Sequence, residues 1–204
     1  MKPVDQTLLA SRGEPGDCWR ACIASILELP IEDVPHFTLE AARAVADVSY
    51  PPFNYDGLHQ FSKEIIALEL PLVNAFLLPL GKRMRPLTHI DELEGLSGYA
   101  IGSGPSTRIP DVHHAVVIDL SRCRVREDGG WNIEIAHDPN PDRDGVTEVT
   151  WIELIEDIPI AAPFSNFAPR VTAYKGDRPP FDLIARAMGI TLVDADAEKG
   201  KHED

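Results

Sequence analysis

The chain has 204 residues, 44% of them hydrophobic and 25% charged, which suffices for one globular domain with a core of its own. Its 33 acidic against 19 basic residues give a net charge of −14, which excludes a general nucleic-acid binder, since phosphate contacts need clustered Lys and Arg. No apolar run is long enough to span a bilayer and the N-terminus lacks the apolar stretch of a secretory signal, so a cytoplasmic protein without membrane contact is expected.

The chain opens on an irregular lead-in over residues 1–17. Asp17 is a good N-cap, and Trp19, Cys22, Ile23, Ile26 and Leu27 then form one apolar helical stripe. Pro30 stops that helix. A short helix is expected over residues 31–34 and a longer one over 39–48. Asp56 or Asn54 would cap another, running to Leu68 with Leu58, Phe61, Ile65 and Leu68 on one face.

After Pro71 the texture turns to strands. Residues 73–78 read as a strand, 90–96 as a short helix, 99–103 as a strand, and 112–120 and 122–126 as strongly β. Asp128-Gly129-Gly130 signals a hairpin with a return strand over 131–136. Residues 149–155 fit a strand or a short helix, and 181–188 have helical spacing. Lys82-Arg83-Met84-Arg85 stands out only as a short basic cluster. Helices first and antiparallel strands later predict an α+β fold. One domain would span residues 1–190. The stretch 191–204, with Asp194, Asp196, Glu198, Glu203 and Asp204 and few apolar partners, reads as a disordered acidic tail.

Three cysteines in a chain without an export signal make no disulfide framework, so a cysteine that matters would act as a thiolate or a metal ligand. Cys18 falls in the first turn of the amphipathic helix, where unpaired N–H groups and the helix dipole favour a thiolate. His114 begins an apolar strand. Asp138 ends another and is followed by Pro139, so it could accept a hydrogen bond from an imidazole and fix its tautomer. The hairpin between Leu120 and Trp131 would set the last two segments side by side.

Five stretches together carry a resemblance: Val4-Asp5-Gln6-Thr7; Gly16-Asp17-Cys18-Trp19-Arg20-Ala21-Cys22; residues 24–37; His114-Ala115-Val116-Val117; and His137-Asp138-Pro139. The chain resembles a group of small phage and bacterial proteins in the papain-like cysteine peptidase superfamily. In the order Gln, Cys, His, Asp it is similar to the bacteriocin-processing peptidases, which also place Pro after the Asp. The likeness covers roughly residues 4–37 and 112–141. It implies a papain-like fold in which a Cys-bearing helix packs on an antiparallel sheet bearing His and Asp. The implied nucleophile is Cys18, the general base and acid His114, and the orienting group Asp138. Gln6, with the Cys18 N–H, would hold the oxyanion. The implied activity is thiol-dependent hydrolysis of an amide or isopeptide bond in a peptide or protein substrate, without a cofactor. Gln6 precedes Cys18 by a dozen residues, farther than is usual in papain, so the loop between them must bulge.

Several neighbours have plainer readings. Cys22 lies on the apolar stripe and reads as core, and Cys123, between Arg122 and Arg124, as incidental. His113 and His114 point to opposite faces of a strand, so only one can face Cys18. His114 is taken as the base because the resembling motif has its His directly before Ala-Val-Val, and His113 would face solvent or line the substrate cleft. His137 reads as a surface residue, and His36, His59 and His89 as structural or surface residues. Trp131 and Trp151 are expected to fill the core between sheet and helix. Two rival functions remain: an inactive binding or inhibitory module on the same fold, and a zinc site built from Cys18, Cys22 and nearby histidines.

Overall fold

A computed structural model describes residues 1–9, 16–46, 63–110, 112–128, 130–143 and 145–158. The helix expected at 181–188, the tail at 191–204 and His59 lie outside the described residues. Within them the protein is α+β, with three α-helices and an antiparallel sheet of five strands. Among the described residues no helix is long and apolar enough to cross a membrane.

The helices are α1 (Cys18–Leu27), α2 (Phe37–Ala46) and α3 (Lys63–Leu77). α1 starts where Asp17 predicts and ends before Pro30, with Glu28 in the left-handed region (φ 59°) donating its N–H to the carbonyls of Ala24 and Ser25. Its residues Ala21 to Ser25 are buried, with Cys22, Ile23 and Ala24 in the core shared with the sheet and Ser25 against the N-terminal segment. Ile31–Asp33 forms a single 3-10 turn, and α2 begins two residues earlier than its spacing predicts.

α3 overturns the reading of its region. The helix runs through Pro71 to Leu77 and continues as a 3-10 turn over Leu78–Leu80, so residues 73–78 form no strand. Pro71 removes one backbone donor and crowds the preceding turn, at a cost of about 3 kcal/mol. Leu68, Leu72, Val73 and Leu77 are buried at helical spacing, and each contributes about 1.5–3 kcal/mol by leaving water. Their sum exceeds the proline penalty, so tertiary burial overrides the local breaker.

The strands are β1 (Lys82–Pro86), β2 (Tyr99–Pro105), β3 (His113–Asp119), β4 (Arg124–Val125), β5 (Trp131–Asn132), β6 (Ile135–His137) and β7 (Trp151–Asp157). The main sheet has the order β1-β7-β2-β3-β6, and β4 and β5 pair separately as a small hairpin. The basic cluster at 82–85 is therefore an edge strand. Lys82 meets Asp157 at 2.6 Å, Arg83 meets Glu156 at 2.6 Å, and Met84 alone points into the core. Charged side chains on such an edge discourage pairing with another chain. The expected return strand splits: its first two residues complete the hairpin and Ile135–His137 joins β3. Residues 151–157 form a strand and not a helix.

Two apolar clusters lie on the two faces of the sheet. Ile101, Ala115, Val117 and Met84 face the helices and meet Ile23, Ala24, Phe37, Leu72 and Leu77. Ala100, Val116, Ile118, Ile152 and Leu154 face the other way, onto Leu87, Leu93 and Val149. This alternation is the period of two expected of strands buried on both faces. Trp131 packs on the second cluster, while Trp151 is 51% exposed, so the core role expected for Trp151 does not hold.

Candidate active site

Cys18 is the first residue of α1 and is half-buried. His114 is the second residue of β3 and is buried, 8% exposed, whereas His113 beside it is exposed. Asp138 follows β6, which runs antiparallel to β3 with Val117 opposite His137. The sheet thus brings Asp138 next to His114 directly, through β6, while the β4–β5 hairpin lies aside. His114 Nε2 donates to Asp138 Oδ1 at 2.7 Å. The other ring nitrogen, Nδ1, is not used by that bond, and Cys18 lies close enough to His114 to act on its charge. Cys18, His114 and Asp138 therefore lie in one row.

Asp138 is held from three directions. Its Oδ1 also accepts the Asn140 N–H at 2.8 Å, an Asx turn around Pro139, and its Oδ2 accepts the Gly145 N–H at 2.6 Å. Burial pushes its carboxyl up, but the bond from His114 and those two N–H groups outweigh burial and hold it below the ordinary carboxylate value. For His114, burial works against the charge, yet the bonds to Asp138 and Cys18 prevail and raise its pKa to about 9. Both directions describe an imidazolium stabilised by the Asp138 carboxylate.

Gln6 reaches the same place from the N-terminal segment. Its backbone N–H donates to the Pro139 carbonyl at 2.8 Å, and its Nε2 donates to the Leu8 carbonyl at 2.9 Å. Leu8 O also accepts the Asp17 N–H at 3.3 Å, so the Gln6 amide sits one carbonyl away from the residue preceding Cys18. One amide hydrogen of Gln6 is thus engaged and the other is not needed by that bond. Gln6 Oε1 is buried and finds no partner among the described residues.

The residues that frame the site differ from expectation in several places. His137 is buried, 6% exposed, and is no surface residue. Its Nε2 lies 2.9 Å from Val4 O and its Nδ1 2.9 Å from the Arg143 guanidinium, which fixes the orientation of the ring. Arg143 also reaches Asp138 O and pairs with Asp5 at 2.8 Å. Cys22 is fully buried in the helix-side core, and burial pushes its thiol well up. Cys123 is buried too, its Sγ–H donating to Asp119 O at 3.3 Å. His36 accepts the Leu39 N–H at 3.4 Å ahead of α2, and His89 is exposed. Among the described residues no group of three or more His, Cys, Asp or Glu side chains could hold a metal ion, and Cys22 is spent on packing, so the zinc constellation is not assembled.

Sequence reasoning missed Glu153 and misread Asp17, whose carboxylate does not cap α1 but accepts from Thr7 and Leu8. Trp19 Nε1 donates to Glu153 Oε2 at 2.6 Å, which fixes the indole next to Cys18. Burial raises the Glu153 carboxyl, the Trp19 and Trp151 bonds lower it, and the charge of Glu69 raises it further. No local pattern in the strand marks Glu153, because its partner is 134 residues away. Comparison with known families, with curated proteins and with solved structures finds no match.

Proposed function

We propose that the protein is a papain-like thiol hydrolase that cleaves an amide or isopeptide bond in a peptide or protein. The observation that carries this reading is the row itself: a half-buried cysteine at a helix N-terminus, close to a histidine whose Nε2 is 2.7 Å from a buried carboxylate. In this reaction Cys18 Sγ attacks the carbonyl carbon and the C=O electron pair moves onto oxygen. The Cys18 N–H and the free amide hydrogen of Gln6 receive that oxyanion. His114 passes its proton to the leaving nitrogen as the C–N bond breaks, which leaves a thioester on Cys18. Water then gives a proton to His114, attacks the thioester, and the C–S bond breaks.

Asp138 keeps the imidazole in the required tautomer, with Nε2–H on the buried carboxylate and Nδ1 left for the sulfur. A raised His114 pKa of about 9 keeps the proton available to the leaving group at neutral pH. Cys18→Ala should remove all rapid iodoacetamide labelling at pH 7, because the other two thiols are buried. Rapid labelling of Cys22 or Cys123 in that variant would refute the assignment. A panel of peptides and isopeptides, with Cys18→Ala as the blank, then identifies the cleaved bond.

One observation favours a second reading, an inactive binding module on the same scaffold: one amide hydrogen of Gln6 is already bonded to Leu8 O. That reading predicts a reactive Cys18 that never turns over any acyl substrate, including an activated ester.

A further inference from the structure

Asp17 occupies the N-cap position of α1 and is almost completely buried, yet its carboxylate makes no bond to the helix's own first-turn N–H groups. It turns outward to the N-terminal segment. Oδ1 accepts the N–H groups of Thr7 at 3.0 Å and Leu8 at 2.9 Å, and Oδ2 accepts the Thr7 hydroxyl at 2.8 Å. Arg20 lies 3.5 Å from Oδ2 and balances the charge. At the other end of the same helix Ser25 Oγ accepts the Val4 N–H at 2.9 Å, and Ser25 O accepts the Lys2 N–H at 3.1 Å. The N-terminal segment therefore runs antiparallel along α1, between two anchors.

The spacing of the anchors fits. Asp17 and Ser25 are about 12 Å apart along a helix rising 1.5 Å per residue. Val4 to Leu8 in extended chain spans about 13 Å. Gln6 lies between the anchors, next to the Asp17 end, and its amide donates to the carbonyl of Leu8, the residue Asp17 grips.

We propose that Asp17 is a positioning residue that closes the long gap between Gln6 and Cys18, setting the Gln6 amide against the start of α1 while leaving the first-turn N–H groups uncapped for an oxyanion. This inference rests on the thiol-hydrolase reading. A carboxylate that capped the helix in the ordinary way would occupy those N–H groups and compete with a developing negative charge. Asp17 keeps its charge next to the nucleophile but spends its acceptors elsewhere. Ser25 holds the same segment at the far end, where it adds stability without aiming Gln6.

The test compares two reactions of Cys18. Iodoacetamide alkylates sulfur by direct displacement and forms no oxyanion. Acylation by p-nitrophenyl acetate forms a C–S bond through a tetrahedral oxyanion and expels p-nitrophenolate. The ratio of the two rates therefore reports the oxyanion hole without any knowledge of the natural substrate. Asp17→Ala should slow acylation about 10- to 100-fold, approaching Gln6→Ala, while alkylation does not slow, since removing a negative charge does not disfavour a thiolate. Adding Gln6→Ala to Asp17→Ala should cost less than a further ~3-fold, because both act through one group. Asp17→Asn, which retains an acceptor for the two backbone N–H groups, should recover most of the acylation. Ser25→Ala should lower the melting temperature yet keep the ratio within ~3-fold of the unmodified protein.

Equal slowing of both reactions in Asp17→Ala, or an unchanged ratio, overturns the proposal. Where Asp17→Ala fails to melt cooperatively, Thr7→Val replaces it: a fall of the ratio by several-fold supports the assignment and an unchanged ratio refutes it. If the unmodified protein is alkylated at Cys18 but never acylated there, the hydrolase reading falls and this inference with it. If it is acylated and the Asp17 variants keep the ratio, only the inference falls.

Discussion

Replacing Asp138 by Asn changes one oxygen into a donor and leaves the shape intact. The carboxylate serves three donors, two at Oδ1 and one at Oδ2. The amide does best by keeping its oxygen on His114 and Asn140 and turning its NH2 to the Gly145 N–H, which loses its acceptor. An unsatisfied buried N–H costs about 1–3 kcal/mol. A second loss depends on pH. His114 has a pKa raised from 6.5 to about 9, and the bond to Asp138 heads the causes that raise it. Since the folded pKa lies above the unfolded one, this stabilisation is complete below about pH 6.5 and disappears as pH rises through about 9. At ~1.4 kcal/mol per unit it amounts to about 3 kcal/mol. Asp138→Asn should therefore destabilise by about 1–3 kcal/mol at pH 10 and by up to ~3 kcal/mol more at pH 6. Urea unfolding at the two pH values measures the difference, and the imidazole Cε1–H resonance of His114 followed by NMR should titrate at least one unit lower in the variant. A stability loss that does not vary with pH, or a His114 titration that Asn leaves in place, would refute the account of Asp138 as the group that holds the imidazolium.

Three further outcomes check other parts of the structure. Asp138 itself has a lowered pKa, so its stabilisation is present above the ordinary carboxylate range and is lost as pH falls through the folded value; the acid unfolding midpoint should rise in Asp138→Asn, as read by circular dichroism. At Gly104, opposite His114 in the β2–β3 ladder, an added Cβ would stand 1.7 Å from Glu148 O, so the backbone must move; Gly104→Ala should destabilise by more than ~2 kcal/mol and shift the His114 titration, seen by urea unfolding and NMR. Asn74 bridges α3 to β1 through the Met84 N–H (2.7 Å) and carbonyl (3.2 Å); Asn74→Ala should cost about 1–3 kcal/mol in urea unfolding while leaving Cys18 alkylation unchanged.

Local context made the residues of the row candidates: a cysteine after Asp17 at the start of an apolar helical stripe, a histidine opening the run Ala-Val-Val-Ile and an aspartate followed by a proline. It was the resemblance in their order that set Cys18 apart from a packing residue and His114 apart from His113. The α+β class was legible from local pattern, since the periods of α1 and β3 are clear. α3 was not, because Pro71 is a helix breaker by every local rule, and only the burial of Leu72, Val73 and Leu77 against distant strands overrides it. β1 was not, because its alternation holds one apolar residue, Met84, among charges whose partners lie on β7 and at Glu92. His137 resembled a surface residue because its two partners, Val4 and Arg143, flank it from a remote segment and a turn.

The dozen residues between Gln6 and Cys18 weaken the likeness to papain-like sites when only spacing is counted. Spacing along the chain and position in space are separated here by the N-terminal segment, which binds the neighbours of Cys18 and of Asp138. Val4 binds Ser25 on α1 and His137 on β6; Gln6 binds Pro139; Thr7 and Leu8 bind Asp17. One short extended stretch thus joins the element that carries the sulfur to the turn that carries the carboxylate. Each of these bonds uses a backbone N–H or carbonyl on the segment, and only the Thr7 hydroxyl, which donates to Asp17 Oδ2 at 2.8 Å, adds a side-chain bond to the anchor. The geometry of the site is set in large part by backbone groups that carry no sequence signature, so the spacing from Gln6 to Cys18 matters less than the anchoring of the segment at both of its ends.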